Sequence, residues 1–152
     1  MSFQLDITSR LIAPAAAVWA AVRTMEGVNA ELAPWVRMSV PAAARGLTID
    51  DAPLDRPAFD SWLLALGVVP FDRHRLTLVE VRPGHFVERS SSLLQRLWRH
   101  ERDVAAGLDG TTIVRDQLFV EPRLPVSFLV RPIVAAIFRW RHRRLQARFG
   151  AA

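Results

Sequence analysis

Three neighbouring stretches of the chain carry a carboxylate, an imidazole and a second carboxylate at spacings that an antiparallel meander would bring together. These residues are Glu88, His100 and Asp116. Turns centred near positions 94 and 108 would place Glu88 opposite His100 and His100 opposite Asp116, with Arg102 two residues along the same face. Buried charges must be paired and hydrogen-bonded, or they shift their pKa values. The row therefore predicts either a polar anchor for a ligand or a structural ion-pair network.

Two kinds of chemistry fit this row. As an anchor, it would hold a hydroxyl, carbonyl or carboxylate group of a small molecule. As a catalyst, His100 would work with Glu88 or Asp116 as a general acid/base pair. The catalytic assignment stays open between these candidates.

Other reactive groups are few. The sequence has no cysteine, which excludes thiolate catalysis and thiolate metal sites. Its four histidines lack HExxH or paired-histidine spacing, so we predict no metal and no cofactor. His74, next to Asp72 and Arg75, is interpreted as the solvated start of a strand, with a metal or acid/base site as the alternative.

The elements that must position the row follow from hydrophobic periodicity. Alternation predicts strands at residues 3–12, 35–40, 59–69, 74–82, 86–92, 97–105 and 111–121. Residues 59–69 also fit a short helix, because periodicity does not separate the two. Helical spacing predicts short helices at 15–23 and 29–33, separated by Gly27, and a long helix over 127–149 with a kink or late start at Pro132. Residues 41–57 are interpreted as a loop with a short strand near 47–49.

This order predicts an α+β fold in one domain, residues 1–152: a curved antiparallel sheet of about seven strands around a long C-terminal helix. The face that carries Glu88 also carries Phe86, Val104, Val114 and Leu118, whereas the opposite face is largely charged. We therefore expect the row to point inward, although a slip of one residue would invert the assignment.

The overall order and five local segments resemble the START-like, or SRPBCC, helix-grip superfamily, and bacterial polyketide-cyclase/dehydrase-like members most. The segments are LIAPAAAVW at 11–19, FVERS at 86–90, WRHER at 98–102, GTTIVRD at 110–116 and FRWRHRRL at 138–145. The resemblance covers nearly the whole chain and implies a helix-grip fold. It transfers no catalytic residue set, and the absence of tyrosine argues against acid/base schemes that use a phenol.

A curved sheet that grips one helix leaves space between them, on the order of 300–1,000 Å³ in typical ligand sites. Our first hypothesis is therefore a non-catalytic binder or carrier of a lipid, isoprenoid, polyketide or aromatic compound. The alternative is a cyclase or dehydratase. The predicted ligand contacts are Trp35, Met38, Trp62, Leu64, Leu76, Leu78, Phe86, Trp98, Leu118, Ile137 and Phe138, with Glu88, His100, Arg102 and Asp116 as polar anchors.

The most basic stretch lies in the last helix, at Arg139, Arg141, Arg143 and Arg144. Cations near a helix C-terminus stabilise its dipole, so a solvated helix end is one interpretation. Contact with an anionic membrane surface, as a peripheral interaction module, is the other. Nucleic-acid binding is disfavoured because no aromatic platform accompanies the arginines. With no apolar segment of membrane-spanning length, we expect a cytoplasmic location.

Overall fold

The computed structural model describes residues 1–152 as a seven-stranded antiparallel sheet, curled into a half-barrel, with three α-helices. The strands are β1 (Phe3–Leu11), β2 (Val36–Met38), β3 (Pro57–Ala65), β4 (Val69–Arg82), β5 (His85–Ser92), β6 (Gln95–Ala106) and β7 (Thr112–Pro122). The helices are α1 (Ala15–Val22), α2 (Met25–Leu32) and α3 (Ser127–Phe149). The predicted helix-grip α+β class is confirmed.

The sheet runs in the order β1-β7-β6-β5-β4-β3-β2, and α3 packs mainly along β1. Two apolar clusters hold these layers together. One joins α1 and the C-terminal half of α3 to β1, β6 and β7 through Val18, Val114 and Leu145. The second joins the middle of α3 to β1 and β7 through Val134 and Phe138. The β1–β7 side of the sheet is therefore the one to which the long helix is fixed.

Gly27 does not separate two helices as predicted, because it lies inside α2. The Thr24 side chain caps this helix by accepting a hydrogen bond from the Gly27 amide. A Cβ at Gly27 would lie 2.0 Å from the carbonyl oxygen of Ala21. The glycine thus permits close approach of α1 and α2 rather than a helix end.

The strand interpretation of residues 59–69 is correct for β3, which ends at Ala65 before a turn through Leu66 and Gly67, both at positive φ. The strand predicted near 47–49 is wrong. That segment is a 3₁₀ turn, Ile49–Asp51, preceded by an isolated bridge between Thr48 and Thr24. A second 3₁₀ turn, Ala42–Ala44, shapes the start of the same loop.

The two predicted registers have different outcomes. Glu88 pairs with His100 as expected. His100 pairs with Leu118 rather than with Asp116, which lies opposite Arg102. The β6–β7 turn is longer than assumed because Asp109 and Gly110 both adopt positive φ. The resulting shift of two residues preserves the face of each side chain, so the row still points inward.

Helix α3 begins at Ser127 as predicted and includes Pro132. None of the helices combines the length and the apolar character needed to cross a bilayer.

Candidate functional site: a buried polar network inside the sheet

Asp116 is the centre of a buried polar network. Its side chain is inaccessible to solvent and accepts four hydrogen bonds. Arg102 donates from Nε to Oδ1 and from Nη2 to Oδ2, both at 2.7 Å. His100 Nε2 donates to Oδ1 at 2.7 Å, and His142 Nε2 donates to Oδ2 at 2.8 Å. This carboxylate is saturated and has no capacity left for a ligand.

Arg102 links this centre to helix α2. Its Nη1 and Nη2 donate to the two carboxylate oxygens of Glu31 at 2.9 and 2.8 Å. Arg141 of α3 also donates to Glu31, from Nε at 3.1 Å. A buried guanidinium held by two carboxylates in this way fixes α2, α3 and the sheet relative to one another.

The second part of the network surrounds Glu88. His74 Nε2 donates to Glu88 Oε2, which also accepts a 2.6 Å hydrogen bond from the Ser90 hydroxyl. The other oxygen, Oε1, lies 3.9 Å from Nδ1 of His100, too far for a hydrogen bond. Neither of these two atoms bonds to another protein group. Glu88 and His100 therefore form an open pair inside an otherwise satisfied network.

Charges set the protonation of the network. Burial raises the pKa of Asp116, but the Arg102 guanidinium and His100 outweigh it and hold the pKa far below its usual range. Burial opposes ionisation of Glu88 too, yet His74 and His100 lower its pKa. The pKa of His74 is raised, because the Glu88 charge and hydrogen bond exceed the effect of burial. Near neutral pH the network therefore holds ionised carboxylates.

Aromatic rings enclose the imidazole of the open pair. Phe86 and Phe138 both meet the His100 ring edge to face, with ring centroids 5.2 and 5.1 Å away. Trp98 stacks obliquely on Phe138 and meets His74 edge to face. The open pair is therefore held in a largely apolar wall.

The structure divides the predicted ligand contacts into separate groups. Leu76, Leu78, Phe86, Leu118 and Phe138 are buried around the polar network, with Trp98 half-buried beside them. Met38 and Leu64 are half-buried at the β2–β3 edge.

Trp62 is wrongly placed by the prediction, because it lies on the outer face of the sheet beneath the Arg73 guanidinium. Trp35 is also misplaced, since 53% of it is exposed and it meets Trp140 edge to face at 6.1 Å. Trp62 was misplaced because an apolar side chain alone does not reveal which face of a strand is buried, and Trp35 because it lies in the turn before β2 rather than in a strand.

Two solvent-open grooves of about 350 Å³ each lie away from the polar network. The first, the α2–α3 groove, is lined by Leu32, Trp35, Ala136, Ile137, Arg139, Trp140 and Arg143. The second lies across β1, β6 and β7. The single chamber that was predicted to include Trp35, Ile137 and the polar row together is therefore not what the structure contains.

His74 is the main site residue that the sequence interpretation missed, since it is buried and bonded to Glu88 rather than solvated. Arg141 is also not available for a membrane surface, because it is buried against Glu31. Helical spacing could have placed His142 inward, since it lies four residues after Phe138 and three before Leu145. No local signal marks Glu31, whose partner Arg102 is distant in sequence.

Three solved structures with the same architecture are distant from this chain in sequence. A START superfamily protein from Mycobacterium smegmatis matches with a TM-score of 0.70 and 13% identity, over 96% of both chains. The di-domain ARO/CYC BexL from the BE-7585A biosynthetic pathway matches with a TM-score of 0.66 and 18% identity, over 99% of this chain and 51% of that one. DynU16, a putative protein in the dynemicin biosynthetic locus, matches with a TM-score of 0.58 and 16% identity, over 97% of this chain and 48% of that one. These likenesses establish a START-like fold.

Sequence comparisons give a family but no activity. No curated protein matches the sequence. The model of a family described as a domain of unknown function, DUF8410, matches residues 9–149, which is nearly the whole chain. The chain therefore belongs to the DUF8410 family, and it carries that family's domain on a START-like fold.

Proposed function

We propose that this protein binds a small, mostly apolar molecule between α3 and the inner face of β4 and β5, with a hydroxyl group of the ligand at Glu88 and His100. The observation that carries the proposal is the open pair. Glu88 Oε1 and His100 Nδ1 lie on buried side chains, 3.9 Å apart, and neither has a hydrogen-bond partner. One oxygen atom can lie within 2.8 Å of both atoms at this separation.

The donor pattern selects a hydroxyl. His100 Nε2 donates to Asp116, so the other ring nitrogen, Nδ1, is the one that faces Glu88 and a ligand. Glu88 is ionised and only accepts. A ligand hydroxyl can donate its proton to Glu88 while its oxygen lies beside His100 Nδ1, whereas a carbonyl or carboxylate has no proton to donate to Glu88.

The surroundings favour an apolar body for the ligand. Leu76, Leu78 and Phe86 are buried on the inner face, yet they belong to neither of the two clusters that fix α3 to the sheet. They lie on β4 and β5, next to the open pair and away from the β1–β7 side. Burying apolar ligand surface against them would supply the main favourable free energy of binding.

Native mass spectrometry tests this placement, after the purified protein is equilibrated with an organic extract of the cells that natively produce it. Wild type should retain a small molecule. Leu76→Phe, which narrows the inner face, and Glu88→Gln, which removes the charged acceptor, should each reduce the bound fraction at least tenfold. Trp62→Phe, on the outer face, is the matched control and should bind as wild type.

Two results would contradict the proposal. One is wild type that retains no molecule from the extract. The other is binding that is lost in Trp35→Ala, in the α2–α3 groove, while Leu76→Phe and Glu88→Gln bind normally. Thermal melting of each variant separates lost binding from lost folding.

A catalytic role is the second candidate, and His74 is the observation in its favour. Its raised pKa favours the protonated imidazole beside Glu88 at the edge of the proposed ligand site, where it could deliver a proton. An aromatase/cyclase-type substrate with a polyketide chain would then be changed rather than retained. Recovery of an added polyketide substrate unchanged in mass and retention time favours the carrier.

A peripheral membrane role for α3 also fits. Arg139 and Arg143 are exposed and make no ion pair, and no acidic residue follows Glu121 in the chain. The N-terminal half of the same helix exposes Phe128, Leu129 and Ile133. Apolar and cationic groups on one helix surface fit the interface of an anionic bilayer.

A further inference from the structure

The convex outer face of the sheet carries a histidine that faces two carboxylates. His85 begins β5, and Asp103 lies directly opposite on β6. Nδ1 of His85 donates to Asp103 Oδ1 at 2.7 Å. This bond orients the ring, so that Nε2 points away from Asp103 and towards Glu80 of β4 and Glu101 of β6.

Nε2 of His85 has carboxylate oxygens as neighbours on both sides. Glu80 Oε2 is 3.5 Å away and Glu101 Oε1 is 3.8 Å away, and neither forms a hydrogen bond with it. The His85 side chain is only 6% exposed, so water screens this arrangement poorly. An unprotonated Nε2 of His85 would place its lone pair beside the carboxylates of Glu80 and Glu101, which is electrostatically unfavourable. A cation bound between these three groups removes the repulsion.

We propose that His85 Nε2, Glu80 and Glu101 bind a divalent transition-metal ion of the Zn²⁺ type, with Asp103 as the residue that orients the histidine. A histidine whose second nitrogen donates to a carboxylate is the usual arrangement at zinc ligands. The donor atoms of His85, Glu101 and Asp103 already lie within 4.8 Å of one another.

The spacing suits the ion. Zinc bonds of about 2.0–2.1 Å in a tetrahedron separate neighbouring ligand atoms by about 3.3 Å. The 3.5 and 3.8 Å separations of the Glu80 and Glu101 oxygens from His85 Nε2 are close to that value, and the half-exposed Glu80 side chain is free to turn towards an ion. Nitrogen beside two oxygens favours zinc over magnesium, which prefers oxygen ligands alone.

The neighbouring arginines leave the two carboxylate oxygens that face His85 free to bind an ion, and solvent reaches the site. Arg82 contacts the other oxygen of Glu80 at 3.3 Å, and Arg99 contacts the other oxygen of Glu101 at 3.4 Å. The Glu80 side chain is 49% exposed, which gives an ion access from solvent. The site lies on the face opposite the proposed ligand site and depends on none of its residues.

The test is calorimetric titration of ZnCl₂ into tag-free protein stripped of metal with a chelator. Wild type should bind one Zn²⁺ per chain and melt at a higher temperature with zinc, while MgCl₂ has neither effect. Glu80→Gln and Glu101→Gln keep the side-chain shape and should each weaken zinc binding at least tenfold. Asp103→Asn should weaken it by about tenfold.

Glu121→Gln, another half-exposed outer-face carboxylate paired with an arginine, is the control and should bind zinc as wild type does. Absence of saturable zinc binding in wild type would overturn the proposal. Zinc binding that is unchanged in both Glu80→Gln and Glu101→Gln would overturn it as well.

Discussion

Arg102 and Asp116 face each other across β6 and β7 and are joined by two hydrogen bonds of 2.7 Å, with both side chains buried. The pair connects the histidines of the network to Glu31 on α2. It therefore couples the inner face of the sheet to the helices that cover it.

Asp116→Asn should destabilise the fold strongly. The substitution leaves the buried Arg102 guanidinium with one carboxylate fewer, and breaking a buried pair on one side costs about 3–5 kcal/mol. Urea unfolding of the variant measures the loss. Asp6→Asn, which breaks the exposed pair with Arg115, should cost less than about 1 kcal/mol. Equal losses of unfolding free energy in Asp116→Asn and Asp6→Asn would contradict the conclusion that the buried Arg102–Asp116 pair stabilises the fold more than an exposed ion pair does.

Stability should depend on pH on both sides of a maximum. Glu31, Glu88 and Asp116 have lowered pKa values, so their contribution is present above their ordinary values and is lost as acid protonates them below about pH 4. The pKa of His74 is raised from 6.5, so its contribution is complete below 6.5 and is lost as pH rises through the raised value. Unfolding free energies should therefore peak between about pH 5 and 6.5.

The variant His74→Gln tests whether His74 causes the loss of stability above pH 6.5. Without the imidazole, the decline in unfolding free energy above pH 6.5 should become shallower. An equally steep decline in the variant would show that His74 is not its source.

Glu31→Gln should loosen α2 selectively. Glu31 receives three hydrogen bonds from Arg102 and Arg141, and it is the main polar link from this short helix to the interior. Amide hydrogen exchange in Met25–Leu32 should become at least tenfold faster, while β1 and β7 keep their protection. Glu26→Gln, exposed on the same helix, is the control and should leave exchange unchanged. Uniform acceleration over the whole chain would contradict a local role.

Sedimentation with vesicles tests the membrane proposal. Wild type should bind phosphatidylserine-containing vesicles at low salt and release them as salt screens the arginines. Arg139→Glu with Arg143→Glu should weaken binding at least tenfold, whereas Arg89→Glu, exposed on the sheet's outer face, should have a much smaller effect. Equal sensitivity to both changes would indicate attraction by net charge alone.

The sequence predicted the sheet, the long helix and the face of the polar row because each depends on local hydrophobic periodicity, alternating in the strands and helical in α3. The Glu88–His100 register followed from a compact turn at residues 93–94. The Asp116 register failed at Asp109 and Gly110, which both adopt positive φ; the Asp-Gly pair marks a turn in the sequence but does not fix how many residues the turn contains. The inward orientation of these side chains was still predicted correctly. Side chains alternate between the two faces of a strand, so a register shift of two residues returns each of them to the same face.

The rest of the network could not be predicted because it depends on contacts between distant elements. Glu31 and Arg102 lie 71 positions apart and meet only after α2 folds over the sheet. His74 looked solvated because charged residues flank it, yet Arg73 and Arg75 point to the opposite, exposed face and Asp72 is itself buried. The same limit applies to His85, whose carboxylate neighbours come from β4 and β6.

A crystal structure of the protein with the molecule it retains from cell extract is the most direct test of the proposed function. Ligand density is expected between α3 and β4–β5, with one hydroxyl oxygen within about 3.2 Å of both Glu88 Oε1 and His100 Nδ1. Density confined to the α2–α3 groove beside Trp35, with the Glu88–His100 pair closed by a direct hydrogen bond, would contradict it.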